Sequence, residues 1–404
     1  MSSTGDRFAW ESLDPAAPLD DLAPLLDIVG DARVVAVGES NHDVREFGLL
    51  RHRVARLLVE RAGFDVVAIE SGFADARALD TWVHGGPGAV ADVATRGLGY
   101  RFGEAREVQD LLSWLRSRGD VTFAGLDVPG SAGNADHAWA LAEDALRELD
   151  PDALPLLDDA RRTTARYTAV HSGLAMGRYA VLERPERDAA TAAVTELLTR
   201  IDDLAPIVPA AARYRYAVAA HAVRGAWRLD AFMRELLAVA AGHGRLASRD
   251  AHMADTVRWL QTHHGPRARI VVLAHNGHIQ RTPVTFDGMT HPLVPMGAHL
   301  AAELGEHYRP IAITGTAGTT TGMTIDADAP GGMRLHEAPL PPAADGSIEA
   351  ALADTAPIGV DLRATTGGPN LIRHAETFVA TPVSAAFDAL LQVPATRPSD
   401  FVLT

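Results

Sequence analysis

A chain of 404 residues, 47% hydrophobic and 22% charged, has the balance of a folded soluble protein and the length for one large domain or two ordinary ones. Its formal net charge of -15 argues against nucleic acid as a partner, because an acidic surface repels phosphate. The absence of cysteine excludes disulfides, thiolate metal sites and a cysteine nucleophile, and no run of about 18 apolar residues offers a membrane span.

The first residues, Met1–Arg7, lack a basic start followed by an apolar run, so no secretion signal is expected and the reading is cytoplasmic. A helix is expected over Leu19–Ile28 and a strand over Arg33–Val37. The strand runs into Gly38-Glu39-Ser40-Asn41-His42, which places a carboxylate and an imidazole just past its end. Asn41 or Asp43 then caps a helix reaching about Ala62, closed by Gly63. Val44, Phe47, Val54, Leu57 and Leu58 form its apolar face, with Arg45, Arg53, Arg56 and Glu60 opposite. Arg51 falls inside the apolar arc, where an arginine is costly unless it meets an anion.

A second strand, Asp65–Ile69, delivers Glu70. Helices follow at 75–84 and 104–118, separated by glycine-rich loops at 85–88 and 97–103. A third strand, Val121–Leu126, delivers Asp127. From 131 to 242 the strand signal disappears, and alanine- and leucine-rich segments predict three to five helices. That stretch reads as an insertion or lid over an α/β core made of 1–130 and 243–404. The alternating pattern then resumes. A helix at Ser248–His263 precedes a strand at Ala268–Leu273, which delivers His275-Asn276-Gly277-His278. A helix at Met296–His307 and a strand at Tyr308–Thr314 follow, then a loop at Gly315–Gly322. Short strands are expected at Ile358–Leu362 and Phe387–Val393.

Strands joined by helices predict a three-layer α/β fold, a mostly parallel sheet flanked by helices. Their C-terminal ends share one edge, and ligands bind at such edges. Glu39 with His42, Glu70, Asp127, and His275 with His278 therefore converge on one cleft. His52, His84, His263, His264 and His307 lack such placement and are assigned to the surface. His275 and His278 sit on a glycine-containing turn and lack the helical spacing of a zinc protease motif, so no metal and no other cofactor is expected. No nucleophile elbow around serine, P-loop or dinucleotide fingerprint is found. Direct acid/base catalysis remains, with a histidine able to take a proton from water and a carboxylate beside it to fix its tautomer.

Gly38–His42 with Glu46-Phe47 and Arg51, Glu70, Ser248–Ala254, Ala274–His278 and Met296-Gly297 resemble, in the same order, the motifs of the erythromycin esterase family. The resemblance covers about Arg33 to Gly322. It implies a metal-independent hydrolase of an ester or lactone, macrolides among the candidates, in which His42 activates water. It implies that Glu39, Arg51, Glu70, His275 and His278 line the site. Ser40, Asp127, Arg249 and Met296 are the candidate substrate contacts. Asp43-Val44-Arg45 departs from the small residues usual after the histidine in that family. Two other readings use the same groups: a tailoring enzyme catalysing dehydration, cyclisation or epimerisation, and a metal- or haem-binding protein.

Overall fold

The structure, a computed structural model, describes residues 5–265, 267–286, 289–353 and 356–401. Eleven strands are found among them: β1 Asp6–Ala9, β2 Val34–Val37, β3 Val66–Gly72, β4 Thr122–Asp127, β5 Ile270–Leu273, β6 Tyr308–Ile325, β7 Met333–Pro339, β8 Ile358–Asp361, β9 Leu371–His374, β10 Thr377–Ala380 and β11 Ala389–Thr396. Nine of them form one sheet in the order β1-β8-β11-β6-β2-β5-β3-β4, with β7 on the overhang of β6; β9 and β10 form a separate hairpin.

From β11 to β4 every neighbouring pair is parallel. The outer strands β1 and β8 and the β6–β7 hairpin are antiparallel. The four valine- and isoleucine-rich inner strands are apolar on both faces, as a sheet covered on both sides requires. Val35 and Val37 of β2 face one core cluster with Phe47, Leu50 and Leu112, while Val34 and Ala36 face another with Met253, Val257 and Leu300. Helices on the two faces supply these partners, giving the α/β architecture that the alternating pattern predicts.

The expected helix at Leu19–Ile28 is broken into a 3-10 turn, Asp20–Leu22, and a short helix, Pro24–Val29. Pro24 explains the break, since it has no N–H to continue a helix but suits a first turn. The expected loop at Gly315–Gly322 is instead strand: β6 runs on through it, pairing with β11 and then β7. Three glycines suggest a loop, yet the threonines between them favour extended backbone. Gly318 has φ 101°, and a Cβ there would lie 2.3 Å from the Thr396 carbonyl oxygen, so the glycine permits close pairing.

Two assignments on helix Arg45–Ala62 are corrected. Arg53 is fully buried, its guanidinium hydrogen-bonded to Asp21 at 2.8 Å and to the carbonyls of Ser12 and Pro18. His52 is buried against Trp114. Both belong to a face that the N-terminal segment and the helix Arg106–Arg118 cover, so the helix is apolar or buried on more sides than its own periodicity shows.

Between β4 and β5 lie the helices Asp136–Leu149, Leu154–Thr164, Ser172–Val181, Arg184–Leu204 and Arg213–Ala240. They pack around a hydrophobic cluster of their own, including Trp139, Leu157, Tyr179, Leu197, Val223 and Met233. Asp230, buried inside it, accepts hydrogen bonds from Tyr167 and Thr191.

Candidate active site

The parallel strands end together, and hydrogen bonds lock their ends into register. Gly38 N–H donates to the Ile311 carbonyl, and Asn276 donates its backbone N–H to the Glu39 carbonyl at 2.8 Å and its side-chain amide to Ile313 at 2.9 Å. A Cβ on Gly38 would lie 1.9 Å from the Asn276 amide oxygen, so only glycine lets the loop after β2 pass the turn after β5.

That turn brings the first pair together. Glu39 Oε1 lies 2.9 Å from His42 Nδ1 and 2.5 Å from Arg51 Nη1. Burial opposes the charge on Glu39, but Arg51 and His42 outweigh it and hold the carboxyl below its ordinary range. An ionised Glu39 can only accept, so Nδ1 of His42 carries the proton and Nε2 presents a lone pair. Nε2 faces Glu70 Oε1 at 3.8 Å, beyond a direct hydrogen bond. Burial lowers the His42 pKa, yet Glu70 and Glu39 together raise it.

Glu70 sits where the β3–β4 register slips, a bulge between Ile69 and Gly72, and such bulges re-aim side chains. Its Oε2 accepts the His275 backbone N–H at 2.8 Å. Its Oε1 lies 2.9 Å from Arg249 Nη2 and 3.3 Å from His278 Nε2. Although burial disfavours the charge, His278, His42 and Arg249 hold the carboxyl well below the carboxylate range.

The two histidines of the His275–His278 turn have different surroundings. His275 Nδ1 accepts from Gly277 N–H at 2.9 Å, and Nε2 lies 3.0 Å from the Ser40 carbonyl, to which it donates. Both ring nitrogens are thus committed to backbone. Burial, then His374 and His42, push its pKa well down, so the ring is neutral. His278 is instead clamped between carboxylates, with Nδ1 2.7 Å from Asp250 Oδ1. Burial works against its charge, but Asp250 and Glu70 raise it to about 10, so it is an imidazolium at neutral pH.

A cavity of about 410 Å³ opens over this cluster, and His42, Glu70, Arg249, His275 and His278 line it. Glu39 and Arg51 stand behind it, on a smaller hollow. Ser40, Asp127 and Met296, expected as substrate contacts, line neither and instead hold the residues that do. The Ser40 carbonyl takes the His275 proton, Asp127 binds Arg249 through contacts of 2.6–3.0 Å, and the Met296 N–H donates to Asp250 at 2.9 Å. Their side chains are buried because they support the wall from behind.

Sequence reasoning missed several wall residues: Asp43, Tyr100, Phe102, His171, Asp250 and His374. Asp250 carried a signal, standing beside Arg249 at a helix start that belongs to a matched motif. His374 and the Met323, Met333 and Leu335 of the β6–β7 hairpin had none, because β7, β9 and the second half of β6 were not read as strand. Among the described residues no group of three or more His, Asp and Glu side chains could hold a metal ion.

Residues 59–396 match the family model described as erythromycin esterase. The chain is 29% identical over 401 residues to an erythromycin esterase type II of Escherichia coli, covering 95% of this chain and 94% of that one. It is 28% identical over 383 residues to an erythromycin esterase type I of Escherichia coli, covering 91% and 92%. Its fold matches a solved erythromycin esterase mutant in an open conformation, with TM-score 0.86, 24% identity and coverage of 99% and 100%. It also matches a succinoglycan biosynthesis protein, with TM-score 0.77, 18% identity and coverage of 97% and 95%. The chain belongs to the erythromycin esterase family and is a hydrolase of the carboxylic ester class.

Proposed function

We propose that this protein hydrolyses an ester or lactone without a metal ion, with His42 as the general base that activates water. One observation carries the reading: Glu39 fixes the His42 proton on Nδ1, and the basic Nε2 faces Glu70 Oε1 across 3.8 Å. A water molecule can bond to both acceptors across that gap. As it attacks the acyl carbon, His42 takes its proton, and Glu39 and Glu70 stabilise the imidazolium that forms. Arg51 keeps Glu39 ionised for this role. His278, already an imidazolium and facing the same space, stabilises negative charge on the carbonyl oxygen. His275 positions the loop after β2 rather than exchanging protons, since both its nitrogens are committed.

The helices from 131 to 242 act as a substrate-shaping insertion on the α/β core: they contribute His171, Ser172 and Phe232 to the cavity wall. Tyr100, Phe102, Phe286, Leu293 and Met333 add apolar surface, which suits a bulky substrate with an apolar face. The names of the relatives make a macrolide lactone the first candidate. The test is incubation with 14-membered macrolides and a panel of lactones and esters in isotope-labelled water, read by mass. Hydrolysis places one solvent oxygen in the acid product. A product lacking it points to elimination or cyclisation and overturns the reading. Dialysis against a chelator leaves activity unchanged; a loss restored by zinc overturns metal independence.

A further inference from the structure

Behind His42 lies a hollow of about 30 Å³. Its polar walls are Glu39, Asp43, Arg51, Glu70, Glu107 and Ser399, and the rest is apolar, including Phe102 and Val108. Asp43, Glu70 and Phe102 line both this hollow and the main cavity, so they form the partition between the two. Two side chains on the hollow have atoms with no protein partner: Nε of Arg51 and Oε2 of Glu107. Arg51 is 8% exposed and Glu107 3% exposed. Buried polar atoms without protein partners are met by ordered water, and about 10–15 Å³ is enough to admit one molecule.

Asp43 is held in the partition by its backbone. It adopts φ 54°, which aspartate tolerates better than most residues. Its carbonyl accepts from the Thr321 hydroxyl at 2.6 Å and the Ser399 N–H at 2.8 Å. His42, Glu39, Arg101 and Glu104 are the charged groups that face it. Burial is the largest influence on its carboxyl, which is pushed up to about 7. Burial also raises Glu107, whose Oε1 accepts the N–H of Asp400, a residue with an exposed side chain.

The proposed reaction gives such a group a task. Water adds to the acyl carbon, the bond to the alcohol oxygen breaks, and one proton of water goes to that oxygen. The other leaves the carboxylic acid, so one proton per turnover must escape. Glu39 and Glu70 are held ionised by cations, His278 is already protonated, and both nitrogens of His275 are committed. Asp43 adjoins His42 and can take up and release a proton near neutrality.

We propose that the hollow is a water site, and that Asp43, this water and Glu107 form the exit for the proton that hydrolysis releases. The exit role rests on the hydrolytic reading above; the water site does not. A high-resolution crystal structure of the full chain is expected to show ordered water within hydrogen-bond distance of both Asp43 and Glu107, and a dry hollow overturns the proposal. Asp43→Asn and Glu107→Gln, which keep shape, are then compared in weak buffer, with acyl cleavage read by quench-flow and proton release by an indicator dye. Release keeps pace with cleavage in the unmodified protein. In both variants it lags, kcat falls several-fold, and added imidazole or formate buffer restores it. Release that keeps pace in the variants, or a loss that buffer does not restore, overturns the exit. A wet hollow in a protein that cleaves no ester overturns the hydrolytic reading, and the exit with it, while the water site stands.

Discussion

The floor and the roof of the cavity are built on opposite terms. The floor consists of strand ends, and its charges are buried and cross-paired: Glu39 with Arg51 and His42, Glu70 with Arg249, Asp250 with His278. Parallel register fixes their positions, because β2, β3 and β5 carry these loops side by side. The roof comes from the helices after β4 and from the β6–β7 hairpin, and it is mostly apolar; Met323 on the hairpin is 50% exposed. A floor of paired charges tolerates little change, since removing one member strands the others in low dielectric. A roof of methionine and phenylalanine can be remodelled with small effects. On the proposed function, chemistry belongs to the floor and the choice of substrate to the roof.

The contrast predicts a hierarchy of effects. His42→Ala should cost most, lowering kcat by about 100- to 10,000-fold with the thermal midpoint little changed. Activity near that of the unmodified protein would remove His42 from its role. Glu70→Ala should strike both chemistry and fold, because it leaves Arg249 and His278 without their shared anion. A loss of up to about 3–5 kcal/mol in denaturant unfolding is expected, and an unchanged midpoint would show that Asp127 and Asp250 suffice.

His275 and His278 sharpen the comparison within the floor. His278→Asn should lower kcat by about tenfold or more and lower the midpoint as well, because it removes a positive charge beside the substrate space and leaves Asp250 and Glu70 without it. His275→Asn should act mainly on stability, by about 1–3 kcal/mol, since it removes backbone hydrogen bonds. Steady-state kinetics on both variants, with circular-dichroism melts to show that each folds, decide the matter, and the reverse ranking in kcat would exchange the two roles.

The pH dependence separates the same residues. The base must be neutral and the His42 pKa is raised above 6.5, so activity should climb with pH through a point above 6.5. It should fall again as His278 loses its proton near pH 10. For stability the sign follows from His278, whose folded pKa of about 10 exceeds the ordinary 6.5. Its contribution is whole below about pH 6.5 and drains away as pH rises towards 10. The unmodified protein should therefore lose more stability over that interval than His278→Asn, by urea titration at each pH. The smallest effects belong to the roof. Met323→Ala or Leu335→Ala should change KM a few-fold and shift preference among esters of different bulk, with kcat on the smallest ester unchanged.

The alternating strand and helix pattern was enough to place β2, β3, β4 and β5, because short valine- and isoleucine-rich runs ending in glycine or a titratable residue have few other readings. The convergence of Glu39, His42, Glu70 and His278 follows from that topology. Contacts made through the backbone were not legible. Nothing in the residue names shows that the Ser40 carbonyl takes the His275 proton, or that Met296 meets Asp250 through its N–H. The roof was hidden for another reason: the glycines of β6 imitate a loop, and β7, β9 and β10 are runs of four to seven residues too mixed in composition to stand out from loop.

Arg53 gives residues 12–21 an unexpected task. Its guanidinium has no access to water and is solvated by peptide, from the carbonyls of Ser12 and Pro18 and the carboxylate of Asp21. That segment has little regular structure, yet it serves as the solvent shell of an ion on the helix that also carries Arg51. Trimming the chain to residue 22 would amount to stripping that cation of its solvation in place, two residues from Arg51 on the same helix, and through Arg51 the disturbance would reach Glu39.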